Sequence, residues 1–498
     1  MRAKKNAITG LMTQLIIIAL GLIVPRIMIT NYGSDTNGLT NTLTQIFSYV
    51  ALLEAGIGQS TKNALYKPIT EKDKDGICRI LSVSRKYYWK ITKYYAGVVI
   101  LMAVLLPFVL KTELSAKTVF AVVFFEGMSG VIRFMFTENW MQLLMAEGKG
   151  YVQANITLIT RLLTYGVKIV LACMKVNIVA IQFGFFCVSL IQLAIYKWYI
   201  EKNYGWIKYD LKSCESIELP DKNAYVLTEI AWTVFSSTDM ILLSILFNTA
   251  LSSVYSVYNL VYSNISGLMN SVYTSLIYLL GQAYSESLRK YEQVHDEFEL
   301  MFMTGAATLM SCCSVLGVAF VRLYTKGVTD TNYIYVYLPI LFGLIQILSW
   351  DRYVSGNLSG IAGYAKIVSK ISVIEAVSNI VLSVILAPKM GLYGITLATV
   401  ISLVFKLLYL TYLGNVVILK RSVRKSYAKI IAYLALYFSI SFAFVIKPLA
   451  IESFVQFILY GIITFLFVSL AFTVAAYFLD RQTFKSLIKR VGLKRKKS

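Results

Sequence analysis

Residues 152–200 read VQANITLITRLLTYGVKIVLACMKVNIVAIQFGFFCVSLIQLAIYKWYI. Two apolar runs, 152–174 and 177–200, flank Lys175 and Val176. A helix of either length measures ~35 Å, enough to cross the ~30 Å hydrocarbon layer of a bilayer. The gap leaves room only for a tight turn. The stretch therefore reads as a helical hairpin that enters a membrane and returns.

The same reading extends outward. Apolar spans lie near 8–30, 39–58, 94–112, 117–145, 224–248, 251–280, 299–322, 334–359, 367–388, 391–415, 429–447 and 453–478, about fourteen with the hairpin. Hydrophobic residues fill 57% of the 498 positions and charged residues only 15%. A water-soluble chain carries about 25% charged residues, so lipid is the solvent for most of this surface. The fold class expected is an all-α integral membrane protein of about 14 transmembrane helices.

The net charge of +22 does not mark a nucleic-acid partner, because the basic residues sit in short gaps between apolar runs. With both termini in the cytoplasm, 35 of the 48 Lys and Arg residues fall in cytoplasmic segments and 7 on the opposite side. This is the positive-inside pattern. The first run follows Met-Arg-Ala-Lys-Lys without a small-residue cleavage site and reads as a retained helix. Residues 71–93, with Ile77, Ile80, Leu81, Ser84 and Tyr88 at helical spacing, and the tail 480–498 read as basic interfacial helices facing anionic lipid.

An internal repeat organises the spans. Lys175-Val-Asn-Ile-Val-Ala-Ile181 resembles Lys389-Met-Gly-Leu-Tyr-Gly-Ile395, and the turn at Asn31 matches that at Asn248, at nearly the same offset. Two six-helix lobes related by pseudo-two-fold symmetry follow, at 1–200 and 224–416. Segment 201–223, with Pro220, is the expected cytoplasmic linker, and 417–498 holds helices 13 and 14 and a basic tail.

Charged residues within spans are costly and need partners or water. Arg26, Arg133, Arg161 and Lys168 in the first lobe and Arg352 in the second are candidates for an anion site facing a cavity. Arg161 and Lys168 are seven residues apart, on one helix face. Clustered cations suit a multi-oxygen anion such as pyrophosphate, through the planar fork of Arg and the point charge of Lys. Glu54 and Asp239, beside glycine or serine, are candidates for ion coupling. Stripes at Thr228, Trp232, Ser236 and Asp239, at Tyr255, Tyr258 and Tyr262, and at Gln346, Ser349, Tyr353 and Asn357 read either as helix–helix contacts or as the lining of a wet cavity.

Cys78, Cys173, Cys187, Cys214, Cys312 and Cys313 contain no CxxC pair, and His295 is the sole histidine. No metal site, cofactor or disulfide scaffold is expected. Cys312 and Cys313 read as packing residues, and His295 as solvated in a charged cytoplasmic loop. No P-loop and no nucleophile–base arrangement points to an enzyme.

Pro25-Arg26 with Tyr32-Gly33, Leu53-Glu-Ala-Gly-Ile-Gly-Gln59, Ser237-Thr-Asp-Met-Ile-Leu-Leu-Ser244 with Val254-Tyr-Ser-Val-Tyr258, and Gly391-Leu-Tyr-Gly-Ile-Thr-Leu-Ala-Thr-Val-Ile-Ser402 carry a family resemblance. On these motifs the chain resembles the Wzx-type polysaccharide flippases, in the superfamily that also contains the MATE multidrug exporters. The resemblance implies two lobes around a V-shaped cavity and alternating access. It implies transfer of an undecaprenyl-pyrophosphate-linked oligosaccharide across a bacterial cytoplasmic membrane for capsule or O-antigen synthesis. An ion gradient or the membrane potential would drive it, and a polymerase and glycosyltransferases would be partners. The alternatives are a multidrug cation antiporter of the same fold and a membrane glycosyltransferase or polymerase. The last is disfavoured by outward loops of about ten residues at most.

Overall fold

The computed structural model describes residues 2–54, 57–209, 222–446 and 449–495. Most of the expected linker, 210–221 with Pro220, lies outside the described residues, as does the end of the tail. No strand occurs among the described residues, and the fold is all-α.

Helix α1 (Arg2–Ala51) carries both of the first two expected spans, broken at Gly33, whose φ of 82° suits a residue without Cβ. A 3-10 turn at Leu52–Glu54 precedes α2 (Ile57–Glu71). Then come α3 (Lys74–Val109), α4 (Ala116–Ile132), a π-helical segment at Arg133–Thr137, α5 (Glu138–Ala146), α6 (Gly150–Cys173) and α7 (Ile178–Tyr204). The second half holds α8 (Lys222–Leu246), α9 (Thr249–Glu286), α10 (Leu288–Tyr324), α11 (Leu338–Ile361), α12 (Ala365–Met390) and α13 (Leu392–Tyr412). After a second π segment at Leu413–Ile418, α14 (Arg424–Ile446), α15 (Phe454–Leu479) and α16 (Arg481–Arg495) complete the chain.

Side chains start several helices by accepting an orphan backbone N–H. Asp73 caps α3, Ser115 α4, Asn177 α7, Ser287 α10 and Ser453 α15. Asn177 also closes the hairpin of α6 and α7, with Lys175 in the left-handed region at φ 53°.

Ten helices among the described residues are long and apolar enough to cross a membrane. The other four expected spans fall on the two arms of α1, on α9 and on α11, which carry more Ser, Thr, Asn and Tyr. Several of those polar groups bond inside the protein, among them Thr42 with Ser244, and Tyr258 and Tyr262 with backbone carbonyls.

The chain forms two compact units. One comprises Met1–Val254 with Val328–Thr331, the other Tyr255–Gly327 with Asn332–Ser498. In the first, α1 packs on α6, α8 and α4, α3 on α4, and α7 on α4 and α6. Gly38 permits the closest approach: a Cβ there would stand 1.6 Å from the carbonyl oxygen of Thr249. Asn37 donates to Ser253 at 2.8 Å beside it, and the Asp35 carboxylate gathers bonds from Thr249, Thr112 and the Glu113 backbone. The 328–331 loop joins this unit through Asp330, which accepts from the backbone and hydroxyl of Ser34.

In the second unit α11 packs on α10 and α13, α12 on α13, and α14 and α15 on α10. Tyr255, Tyr258 and Tyr262 are buried around Phe342. The Tyr258 hydroxyl donates to the carbonyl of Tyr333, and that of Tyr262 to the carbonyl of Pro339. This stripe is helix–helix contact, not the lining of a wet cavity.

Two local expectations are corrected. Residues 74–93 are not a separate interfacial helix, because α3 runs unbroken from Lys74 to Val109. Ile77, Leu81, Ser84 and Tyr88 are buried, so their stripe packs within the protein and not against lipid. His295 is not solvated. It lies in the second turn of α10, 6% exposed, stacked on Tyr291. Cys312 and Cys313 are buried in α10, as packing residues.

Candidate functional site

The first unit concentrates charge where three helices are locally irregular. Glu54 ends the 3-10 turn after α1, and Arg133 opens the π segment between α4 and α5. A π turn re-aims side chains relative to an α-helix and often marks functional positions. Here it brings Arg133 between two carboxylates: its Nε is 3.4 Å from Glu138 and a terminal nitrogen is 4.0 Å from Glu54.

The Tyr88 hydroxyl donates to Glu54 at 3.0 Å, and the Gln142 amide to Glu138 at 3.1 Å. Phe134 lies beneath the guanidinium, 4.8 Å from its centre. The side chains of Glu54 and Glu138 are 16% and 8% exposed, that of Arg133 49%. One half-exposed cation thus serves two nearly buried carboxylates. Gly58, from the Glu-Ala-Gly-Ile-Gly motif, leaves room for the cluster. A Cβ there would meet Gln142 at 2.7 Å and Glu54 at 2.9 Å.

A second group spans α4, α6 and α7. Gln182 of α7 donates to Glu126 of α4, and Lys168 of α6 lies 5.1 Å from the centre of the Phe185 ring. Arg161 is exposed on α6, and no carboxylate lies within ion-pair distance of it among the described residues. Arg26 is half-buried on α1, next to Pro25. Arg161 and Lys168 thus share α6 about two turns apart, and Arg133 joins Glu54 in a separate grouping.

The remaining candidates are placed differently. Asp239 is buried on α8, near the Tyr49–Thr238 hydrogen bond. Of the other residues in its stripe, Trp232 and Ser236 are exposed. Arg352 is in the second unit, 3% exposed, bonded to Glu375 of α12. Lys406 of α13 donates to the other oxygen of Glu375 at 2.7 Å and to Ser372 at 2.8 Å. This triad ties α11, α12 and α13 together.

One network lay beyond the sequence reading. Arg421, in the loop before α14, grips Asp296 of α10 through both terminal nitrogens at 2.9 and 2.8 Å. Burial opposes ionisation of Asp296, but the proximity of His295 and the two bonds from Arg421 outweigh it and hold the carboxyl below its usual range. Lys429 of α14 stands 3.5 Å from Glu299 and 2.9 Å from Asp480, which Lys425 also meets at 3.0 Å. His295, Asp296 and Glu299 place three ligand-type atoms within 4.8 Å of one another. The Arg421 fork and Lys429 already neutralise both carboxylates, so the group is an ion network. Arg421 and Lys429 meet Asp296 and Glu299 across more than 120 positions and Asp480 lies in a further helix region, so no local spacing signals the network.

This architecture has relatives among solved structures. The fold is that of the MATE-type transporters and of the lipid II flippase MurJ. The MurJ structure, an inward closed conformation, superposes with a TM-score of 0.71 over 94% of this chain and 99% of that one, at 16% identity. An inward-facing multidrug resistance MATE transporter of the MOP superfamily gives 0.61 over 81% and 97%, at 15% identity. A MOP superfamily transporter from Pyrococcus furiosus, described by a reversed polarity of its binding pocket, gives 0.58 over 84% and 96%, at 13% identity. No family model and no curated protein matches the sequence.

Proposed function

We propose that this protein is a flippase for lipid-linked oligosaccharide repeat units in a bacterial cytoplasmic membrane, with both termini cytoplasmic, working by alternating access. The observation that carries this reading is the extent of the MurJ likeness. Helices α14 and α15 hold 23 and 26 residues, together about a tenth of the chain. A match over 94% of the chain takes in at least part of that pair, whereas matches over 81% and 84% need not. The shared fold thus extends beyond twelve helices in the relative that handles a lipid-linked substrate.

In this proposal the cargo is a polyprenyl-pyrophosphate carrying a sugar chain, undecaprenyl being the carrier that the motif resemblance implies. Arg26, Arg161 and Lys168 attract its pyrophosphate by charge-assisted hydrogen bonds. Arg133 serves Glu54 and Glu138, and Arg352 holds the α11–α13 triad, so both position helices and neither binds cargo. Glu54 takes up a proton or a cation during the cycle; Asp239 is the other coupling candidate. Glycosyltransferases upstream and a polymerase downstream are the enzymes that such a cargo requires.

The multidrug antiporter reading draws on the Glu54–Glu138 pair with its single cation, which suits an organic cation. Complementation separates the two. A strain lacking its own repeat-unit flippase should regain surface polysaccharide with this chain and lose it with Arg161→Ala. Drug resistance without polysaccharide export would favour the antiporter. Glu54→Gln and Asp239→Asn test coupling: undiminished gradient-driven transport in both removes them as coupling residues.

A further inference from the structure

Asp351 has no role in the function above, yet its placement demands one. It sits in α11, within a membrane-spanning stretch, and is 6% exposed. Its recorded hydrogen bond is a 3.3 Å contact from Ser355, one turn along the same helix. No Lys or Arg lies within ion-pair distance of it among the described residues. Its carboxyl lines a small cavity with Glu299 of α10 and with Lys429 and Tyr433 of α14, closed by the apolar side chains of Leu300 and Ile347.

The cations around this cavity are engaged by carboxylates other than Asp351. Lys429 stands at 2.9 Å from Asp480 and 3.5 Å from Glu299, so its charge is committed. Lys425, 60% exposed, helps only at Asp480. On the same helix as Asp351, Arg352 turns to Glu375 of α12, which also takes Lys406 of α13. Tyr353 is beside that pair, and the Tyr433 hydroxyl shares a hydrogen bond with Thr304. His295 and Asp296 are held with Arg421 further along α10. Each of these cations is thus paired with a carboxylate other than Asp351.

An ionised carboxylate in such a site is too costly to persist, so it must bind a cation or a proton. A metal cation such as sodium would need several oxygen ligands, and the cavity walls are mainly aliphatic. We propose that Asp351 is a proton-binding site whose occupancy is set by Lys429 of α14. The appended helix pair then supplies the countercharge: when Lys429 shifts toward Asp351 the proton leaves, and when it returns to Glu299 and Asp480 the proton is taken up. This links docking of α14 to the charge state of α11. It concerns the proton alone and does not depend on which cargo is carried.

The test is infrared difference spectroscopy on the purified full-length protein in nanodiscs, following the protonated-carboxyl band through a pH titration. Folding is monitored by size exclusion and thermal unfolding. Asp351→Asn should remove one buried-carboxyl band. Lys429→Met should move its midpoint upward by about one to three pH units, the loss expected when a nearby positive charge is removed, whereas Lys429→Arg should leave it near the parent value. Should Asp351→Asn fail to fold, Asp351→Glu must displace the band. A folded Asp351→Asn with an unchanged spectrum, an undisplaced band in Asp351→Glu, or an unmoved midpoint in Lys429→Met would overturn the proposal. So would a midpoint that moves when sodium replaces choline in the buffer.

Discussion

Replacing Glu375 by Gln tests whether Arg352 is structural. Glu375 receives Arg352 on one oxygen and Lys406 on the other, the latter at 2.7 Å. The side chains of Arg352, Glu375 and Lys406 are 3%, 3% and 11% exposed, so water screens little of the interaction. Removing one member of a buried ion pair costs about 3–5 kcal/mol, because the surviving charge stays buried. Here two cations would lose their countercharge, which puts the cost at the upper end. Heating the detergent-solubilised protein and following the monodisperse fraction should show a large fall in melting temperature for Glu375→Gln. The triple variant Arg352→Met, Glu375→Leu, Lys406→Met should recover most of it, since apolar replacements of buried ion groups are often neutral or stabilising. A Glu375→Gln protein that melts with the parent yet fails to transport would refute this reasoning and return Arg352 to the cargo site.

Gly38→Ala should abolish stable expression, because its Cβ would meet the Thr249 carbonyl oxygen at 1.6 Å and backbone cannot yield as a side chain can. Gly58→Ala pushes on Gln142 and Glu54; overpacking of this kind costs about 1–3 kcal/mol, and gradient-driven transport should fall more than protein abundance. Tyr262→Phe removes a buried hydroxyl bonded to Pro339 at 2.8 Å; a loss of about 1 kcal/mol in thermal stability with transport intact is expected. Asp296 has its folded pKa below its unfolded one. Its link to Arg421 therefore contributes fully above the ordinary carboxyl range near ~4 and fades as pH falls toward the folded value. Arg421→Gln should lower thermal stability at neutral pH and narrow its gap to the parent in acid.

Much of the fold is legible in the sequence, because lipid imposes a strong pattern. The hairpin at 152–200 appears as α6 and α7, and the repeat pair at Lys175 and Lys389 marks the starts of α7 and α13. What hydropathy does not report is continuity. The buried stripe of α3 carries the periodicity of an interfacial helix, and only packing partners distinguish the two. The compact units divide at Val254, and α8 packs on α1 within the first of them. Within the candidate site, the individual charges stand out by their cost in lipid. Their pairing does not, since Arg133 meets Glu54 across 79 positions only through a π turn that no spacing rule foretells.

The most direct measurement is translocation by the purified protein in proteoliposomes loaded with a polyprenyl-pyrophosphate oligosaccharide on one leaflet. A membrane-impermeant glycosidase would report arrival on the other. The account predicts protein-dependent arrival that Arg161→Ala abolishes while the variant stays folded. Arrival at the rate of empty liposomes, with tetraphenylphosphonium transported instead, would contradict it.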